Sequence, residues 1–332
     1  MTIYPVFLAN AACPQRCVYC DQTRLSGVTE IGPPRRMLEN LARMLPGRGA
    51  GEVAFYGGSF TLLPADFQNA LLAGAAEFVG RGRCRGIRIS THPAGLDQGH
   101  LDLLSRYPVT TVEVGCQSFD DRVLRAAGRG HTAAQSIAGL ERLLAEGWQV
   151  VAQLMPGLPG ADDAEAEASL RTVVAAGIRQ VRIYPVVVLE GTPLADMYRR
   201  GTYRPWSVDE TVDCCARLWR QCLRSGVRVI RMGLPPLDDE PVAGPWHPAF
   251  GQLVRSRLWY HALATAGCGK AAVTLAVHPD DLSDAVGYRR QNIQRLEGEG
   301  LQVRLEPDPG LERLCVRAGD NVQKIHEVEG LS

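Results

Sequence analysis

Apolar runs and helical periods alternate along the first 190 residues. Ile3 to Leu8 is a short apolar run. Arg36 to Leu45 has helical spacing and leads into a second run, Val53 to Tyr56, which ends in Gly57-Gly58. The alternation then repeats: helix Pro64 to Val79 and strand Ile87 to Ser90, helix Leu96 to Ser105 and strand Thr110 to Val114, helix Ala133 to Glu146 and strand Gln149 to Leu154, helix Asp163 to Ala176 and strand Gln180 to Tyr184. Strands separated by crossover helices pair in parallel. The pattern predicts an α/β fold, a partial (β/α)6 TIM-like barrel. Polar or glycine-rich motifs follow nearly every strand. In such barrels the C-terminal strand ends carry the chemistry, so these motifs are expected to converge.

The pattern changes after Gly191. Helices are expected at Pro193 to Arg200 and Val208 to Ser225, with one more strand at Arg228 to Arg231. Gly233 to Pro248, rich in Pro, Gly and Asp, reads as a loop. A helix (Phe250 to Ala266), a strand (Ala272 to Val277), a helix (Tyr288 to Glu297) and two strands (Leu301 to Leu305, Arg313 to Val316) complete a small C-terminal α+β extension. The expected domains are 1–232 and 233–332.

Composition narrows the function. With 332 residues, 45% hydrophobic and 22% charged, the chain can bury a large core without disulfides. Its 36 basic and 36 acidic residues create no global field toward nucleic acid or membrane, though a local basic groove remains open. Met1 to Asn10 lacks a charged n-region and a long apolar stretch, and no segment approaches the ~20 apolar residues of a membrane span. A cytoplasmic protein without membrane association is expected. Its ten cysteines then read as metal ligands or buried thiols.

Three of them form Cys13-Pro-Gln-Arg-Cys17-Val-Tyr-Cys20, in the loop after the first strand. A loop of this length can wrap one face of an iron–sulfur cluster, whose irons want soft thiolates. A [4Fe–4S] cube offered three cysteines keeps one iron open for a further ligand. The alternative, a zinc site, wants a fourth Cys or His at close spacing, and Cys84 and His92 are distant in sequence. Cys214, Cys215 and Cys222 share one helix without a CxxC-type loop and read as core.

The Cys13-x3-Cys17-x2-Cys20 spacing, with Tyr19 before the last cysteine, resembles the radical S-adenosylmethionine (SAM) superfamily. The resemblance implies that SAM chelates the open iron and is cleaved reductively to a 5′-deoxyadenosyl radical that abstracts hydrogen from substrate, with electrons from a flavodoxin or ferredoxin type donor. It places Tyr19 near the adenine, although Tyr19 also reads as a core aromatic. It assigns Gly57, Gly58 and Ser59 to the amino group of the methionine moiety. It sets Ser90 among small polar groups lining the cofactor, where Ser90 and Thr91 equally suit a strand end and helix cap. Gln117 suits the carboxylate or ribose, and Gln153 the ribose hydroxyls. Tyr184 lies where family backbone meets the adenine edge. Glu113, on an alternating strand, is expected to face the barrel interior with an arginine or the cofactor as partner. His92 reads as structural.

Within the superfamily, Val112 to Ser118, Arg129-Gly130-His131-Thr132, Gln153 to Gly160, Ile183-Tyr184-Pro185 and Gly201-Thr-Tyr203 resemble, in the same order, the radical domain of the Elongator catalytic subunit and its stand-alone bacterial relatives. That likeness implies wobble-uridine modification of tRNA. The residues after 225 are too few and differently patterned for the acetyltransferase domain of that family. The alternatives are a small-metabolite reaction, such as one on a porphyrinogen, and a non-catalytic cluster-bearing sensor; a sensor needs no methionine cradle. In the extension, Arg289, Arg290 and Asn292 near a helix start suit an anion or phosphate, or a solvated face.

Overall fold

Six strands follow one another in a parallel sheet: β1 (Ile3–Phe7), β2 (Glu52–Tyr56), β3 (Gly86–Thr91), β4 (Val109–Gln117), β5 (Gln149–Leu154) and β6 (Gln180–Ile183). Each pairs with its sequence neighbours, as helical crossovers require. This is the expected partial TIM-like α/β barrel. The computed structural model describes residues 2–328 apart from 29, 236, 238 and 239. Val53, Phe55, Ile87, Ile89, Val112, Val114, Val151 and Val181 are fully buried, as in a sheet covered on both faces. Local signals fix the crossover helices. Thr132 and Gln135 form a capping box ahead of Ala133–Ala145, and the Asp162 side chain caps Asp163–Ala175.

β4 runs to Gln117, three residues past its expected end. Its register with β5 is irregular between Val114 and Gln117, and Gln117 sits at φ 68°. A bulge of this kind re-aims side chains at a strand end.

The chain divides into two compact units, Met1–Pro205 with Leu234–Gly244, and Trp206–Gly233 with Pro245–Ser332. This differs from the expected boundary at 232/233. Helix Val208–Arg224 buries Val212, Cys214, Cys215, Leu218 and Cys222, and Arg257 of helix Phe250–Ala266 pairs with its Asp209 and Asp213. Helix Val208–Arg224 therefore belongs with the C-terminal residues, as does strand β7 (Arg228–Met232). The three cysteines of that helix are core, as read from the sequence. Residues 242–244 return to the first unit, where Val188 exchanges backbone hydrogen bonds of 2.8 Å with Val242 and Ala243.

The second unit carries a four-stranded sheet. β8 (Ala272–Val277) and β9 (Gln302–Pro307) are parallel, joined through helix Gln291–Gly298. β10 (Cys315–Ala318) lies antiparallel to β8 and to β11 (Asn321–Lys324). β10 starts later than expected because Asp281 accepts hydrogen bonds from the Leu314 N–H and the Arg313 guanidinium, holding that stretch off the sheet. The helix expected from Tyr288 starts instead at Gln291, since Arg289 and Arg290 are left-handed at φ 51° and 64°. Asn292 is buried, and its amide donates to the carbonyls of Ser256, Asp284 and Ala285. It is an internal clamp, which corrects its reading as an anion ligand. Arg289 and Arg290 are exposed, Arg289 over the Tyr288 ring.

Candidate active site

The loop leaving β1 carries the cysteine triad, and four backbone hydrogen bonds grip it. The Asn10 N–H donates to Gly57 O at 2.8 Å, and the Ser59 N–H to Ala11 O at 3.0 Å. The Val18 N–H donates to Ala127 O at 3.1 Å, while Val18 O accepts from the Leu194 N–H at 2.8 Å. Asn10 and Ala12 both sit near φ 52°. Such strain in non-glycine residues persists only where surroundings over-determine it. A Cβ on Gly58 would lie 2.6 Å from both Leu8 O and Ala11 O. The close approach that Gly58 permits is thus to the chain's own cysteine loop.

Each thiol accepts a hydrogen bond from a different element. Ser59 Oγ reaches Cys13 Sγ at 3.6 Å, Arg129 Nη1 reaches Cys17 Sγ at 3.2 Å, and Gln22 Nε2 reaches Cys20 Sγ at 3.6 Å. Cys13 is exposed, Cys20 half-buried and Cys17 buried. Tyr19 packs with Cys17 in an apolar cluster that includes Met155, Leu158, Leu194 and Tyr203, which fits its core reading; its hydroxyl is buried with no hydrogen-bond partner among the described residues.

The strand ends bring the remaining residues into sequence. Half-buried Ser90 on β3 is in register with Glu113 on β4, and Gln153 on β5 with Arg182 on β6. Gln153 Nε2 donates to Gln117 Oε1 at 3.2 Å, so the bulged Gln117 and Gln153 form a pair. Tyr184, just past β6, accepts at its hydroxyl from Arg182 at 3.0 Å.

Beneath them runs a buried ion network that crosses the sheet. Arg88 bridges Glu52 at 2.8 Å and Glu113 at 2.6 Å, and Glu113 also meets Arg182 at 3.0 Å and the Tyr56 hydroxyl at 2.9 Å. The interior position expected for Glu113 is found, with arginines as its partners. Burial alone would raise Glu52; Arg88 and Thr110 more than reverse this and hold its carboxyl below the usual range.

His92 and His131 stack edge to face, with 3.1 Å between His92 Nε2 and His131 Nδ1. His92 Nδ1 accepts from the Ala94 N–H. The network therefore assigns the proton to Nε2, which faces Arg129 O at 3.0 Å. Burial, then the Arg129 charge, pushes His92 down to about 3 and His131 to about 4. Neutral His92 is structural, fixing the backbone of Arg129.

The polar partners of the thiols were not apparent from the sequence. Arg129 lies 112 residues from Cys17; the Arg129-Gly130-His131-Thr132 motif stands out in the sequence, but nothing local ties it to a thiol. Gln22, two residues after Cys20, offered only proximity. Among the described residues, no three His, Cys, Asp or Glu side chains gather as on a single metal ion. A cavity of about 490 Å³ beside helix Pro34–Met44, lined by Pro33, Arg35, Arg36, Glu39, Asn40 and Arg43, shares no residue with the strand-end cluster.

Comparison with known proteins decides the family. Residues 10–173 match the family model described as the radical SAM superfamily, and residues 178–260 its C-terminal domain model. The chain belongs to the radical SAM superfamily. Curated relatives include tRNA uridine(34) acetyltransferase of Methanocaldococcus jannaschii, 31% identical over 134 residues (40% of this chain, 25% of that protein). Another is Elongator complex protein 3 of Dictyostelium discoideum, 28% identical over 206 residues (55% and 36%). The chain thus spans only about a quarter to a third of the length of these relatives. The solved archaeal Elp3 of Methanocaldococcus infernus shares the fold at TM-score 0.62, with 22% identity over 79% of this chain and 63% of that one. Coproporphyrinogen III oxidase (HemN) of Escherichia coli matches at TM-score 0.52, with 16% identity over 68% and 52%. Among the described residues no helix is long and apolar enough to cross a membrane.

The radical SAM family implies a [4Fe–4S] cluster and SAM, and the residues present fit them. Burial and the neighbouring Cys17 and Cys13 push the Cys20 thiol up to about 12. Three ionised thiols are tolerable together only if cations replace the protons, which is what metal ligation does. The side-chain donors aimed at the three sulfurs suit ligand thiolates. Next to them, the buried Tyr19 hydroxyl and Arg129 Nε have no hydrogen-bond partner among the described residues.

Proposed function

We propose that this radical SAM enzyme holds its cluster on Cys13, Cys17 and Cys20, and that it modifies a base of tRNA. The observation that carries the cluster assignment is the triad itself: three thiols on one gripped loop, each with a different side-chain donor. When bound, the two groups supply one-electron cleavage of the sulfonium. The protein's part is to bind, orient and exclude water. Tyr19 offers a ring and an orphaned hydroxyl toward the cofactor. Backbone groups of Gly57, Gly58 and Ser59 receive the methionine ammonium. Ser90, Gln117 and Gln153 offer hydroxyl and amide groups to carboxylate and ribose, and Tyr184 borders the adenine. The Glu52–Arg88–Glu113–Arg182 network keeps these strand ends in fixed register.

The tRNA substrate is supported by the names of the relatives, which modify uridine 34 or belong to Elongator. The reading includes a cytoplasmic setting and a low-potential flavodoxin or ferredoxin type donor. The test is anaerobic reconstitution, then assay of 5′-deoxyadenosine with dithionite and bulk tRNA. About four irons per chain are expected, falling away when Cys13, Cys17 and Cys20 become Ala and persisting when Cys214, Cys215 and Cys222 do. Binding of tRNA should weaken steeply with salt, and Arg289→Ala/Arg290→Ala should make the slope shallower. No tRNA binding at low salt would transfer the assignment to a small metabolite such as a porphyrinogen.

A further inference from the structure

We infer that Arg129 is the buried counter-charge of the cluster, a positioning residue that sets its reduction potential through Cys17. The inference rests on the cluster assignment proposed above and adds to it a residue outside the cysteine motif.

Arg129 is 7% exposed. A buried guanidinium is costly unless an anion meets it. Buried Arg88 follows this rule with Glu52 and Glu113, and half-buried Arg182 has Glu113. Arg129 does not. Nη2 donates to Gly115 O at 2.5 Å, Nη1 donates to Cys17 Sγ at 3.2 Å, and Nε has no partner among the described residues. Among the described residues no carboxylate pairs with it; of the ionisable groups beside it, Tyr19 and Cys116 are held protonated by burial, and Cys17 is the one it hydrogen-bonds. Cys17 is also the most deeply buried of the three cysteines, where a charge acts with the least screening.

The geometry around Arg129 is built to hold it there. Its carbonyl faces His92 Nε2 at 3.0 Å, and its N–H donates to Leu124 O at 2.9 Å. The flanking Gly128 and Gly130 are left-handed at φ 68° and 66°, and a Cβ on Gly130 would strike the Gln15 side chain at 2.2 Å. The segment thus docks tightly on the cysteine loop, and the guanidinium cannot swing out to solvent without breaking this docking.

One-electron reduction adds one negative charge to the cluster, with no bond made or broken. A fixed cation beside a ligand sulfur favours that charge. Hydrogen bonds to the sulfurs and local charge are among the features that set such potentials. Ser59 and Gln22 add neutral donors on Cys13 and Cys20; Arg129 alone brings a full charge.

The test is a potentiometric titration of the anaerobically reconstituted full chain without SAM, followed by electron paramagnetic resonance of the reduced cluster, with iron and sulfide measured in parallel. Arg129→Gln should keep full iron and disfavour reduction at least tenfold, a midpoint about 59 mV more negative. Arg129→Lys, which keeps the charge, should stay within threefold of wild type. A purely packing role would lower iron content without moving the potential of the cluster retained. A Gln variant with full iron and a shift under tenfold overturns the inference. If the Gln variant cannot hold iron, the Lys variant decides: full iron with a potential within threefold supports the counter-charge, and loss of iron or a tenfold shift overturns it. Wild-type chain that forms no cluster would instead defeat the cysteine assignment, and this inference with it.

Discussion

Glu113→Gln is the sharpest perturbation of the barrel interior. The side chain is 3% exposed and contacts Arg88, Arg182 and the Tyr56 hydroxyl, all within 3.0 Å. Glutamine has nearly the same shape, so no cavity opens and the change is electrostatic. Arg88 keeps Glu52, but Arg182 is left with the Tyr56 and Tyr184 hydroxyls. Removing one partner of a buried pair costs about 3–5 kcal/mol, and a retained carbonyl acceptor puts this case near 3 kcal/mol. At roughly 2 °C per kcal/mol for a protein of this size, Tm should fall by about 6 °C. The assay is thermal and urea unfolding of anaerobic protein by circular dichroism, at 0.1 and 1 M salt. Because the network is buried, the loss should survive high salt. Adding Arg182→Met should cost less than the sum of the two single changes, since it removes the cation left unpaired. A loss below 1 kcal/mol, or one that vanishes in high salt, would refute the network's role.

Gly58→Val should lose cluster content together with stability, because its side chain would strike the backbone of the cysteine loop at Leu8 and Ala11; iron content and Tm read together check this. His92 and His131, held near 3 and 4 by burial and Arg129, stay neutral in the folded chain while the unfolded chain takes protons below about 6.5. Their contribution is therefore complete above that pH and is lost as pH falls toward 4. Roughly 2 kcal/mol per histidine should have gone at pH 5, and His131→Phe should flatten the urea midpoint against pH. Asn292→Ala, which removes a buried amide and its hydrogen bonds to three carbonyls in the second unit, should cost about 2–3 kcal/mol in urea unfolding while leaving iron content unchanged.

The strands that build the barrel were legible because their apolar runs are short, punctuated by glycine and separated by helical periods. Cys13, Cys17 and Cys20 were legible for a similar reason: ligation from one loop leaves its spacing in the sequence. What escaped is what acts across sequence distance. Arg129 meets Cys17 only once β4 and its following helix are folded. The left-handed Gln117, the capture of Leu314 by Asp281 and the grouping of helix Val208–Arg224 with the C-terminal residues all depend on tertiary partners. Gly58 shows a subtler limit. Its need for a bare Cα was readable, but the neighbour that imposes it is the chain's own loop, which only the fold reveals.

The interleaving of the two units bears on synthesis. Residues 206–233 must wait for residues 245–328 to cover the face of helix Val208–Arg224, while residues 234–244 belong to the first unit. At a translation rate of about 5–20 residues per second, that helix spends roughly 5–20 s emerging or waiting with Cys214, Cys215, Leu218 and Cys222 unburied. During that interval three uncovered thiols on this helix coexist with the three of the entry loop. Iron delivery or thiol oxidation at the ribosome would then find two competing cysteine sets, and only completion of the C-terminal segment withdraws one of them.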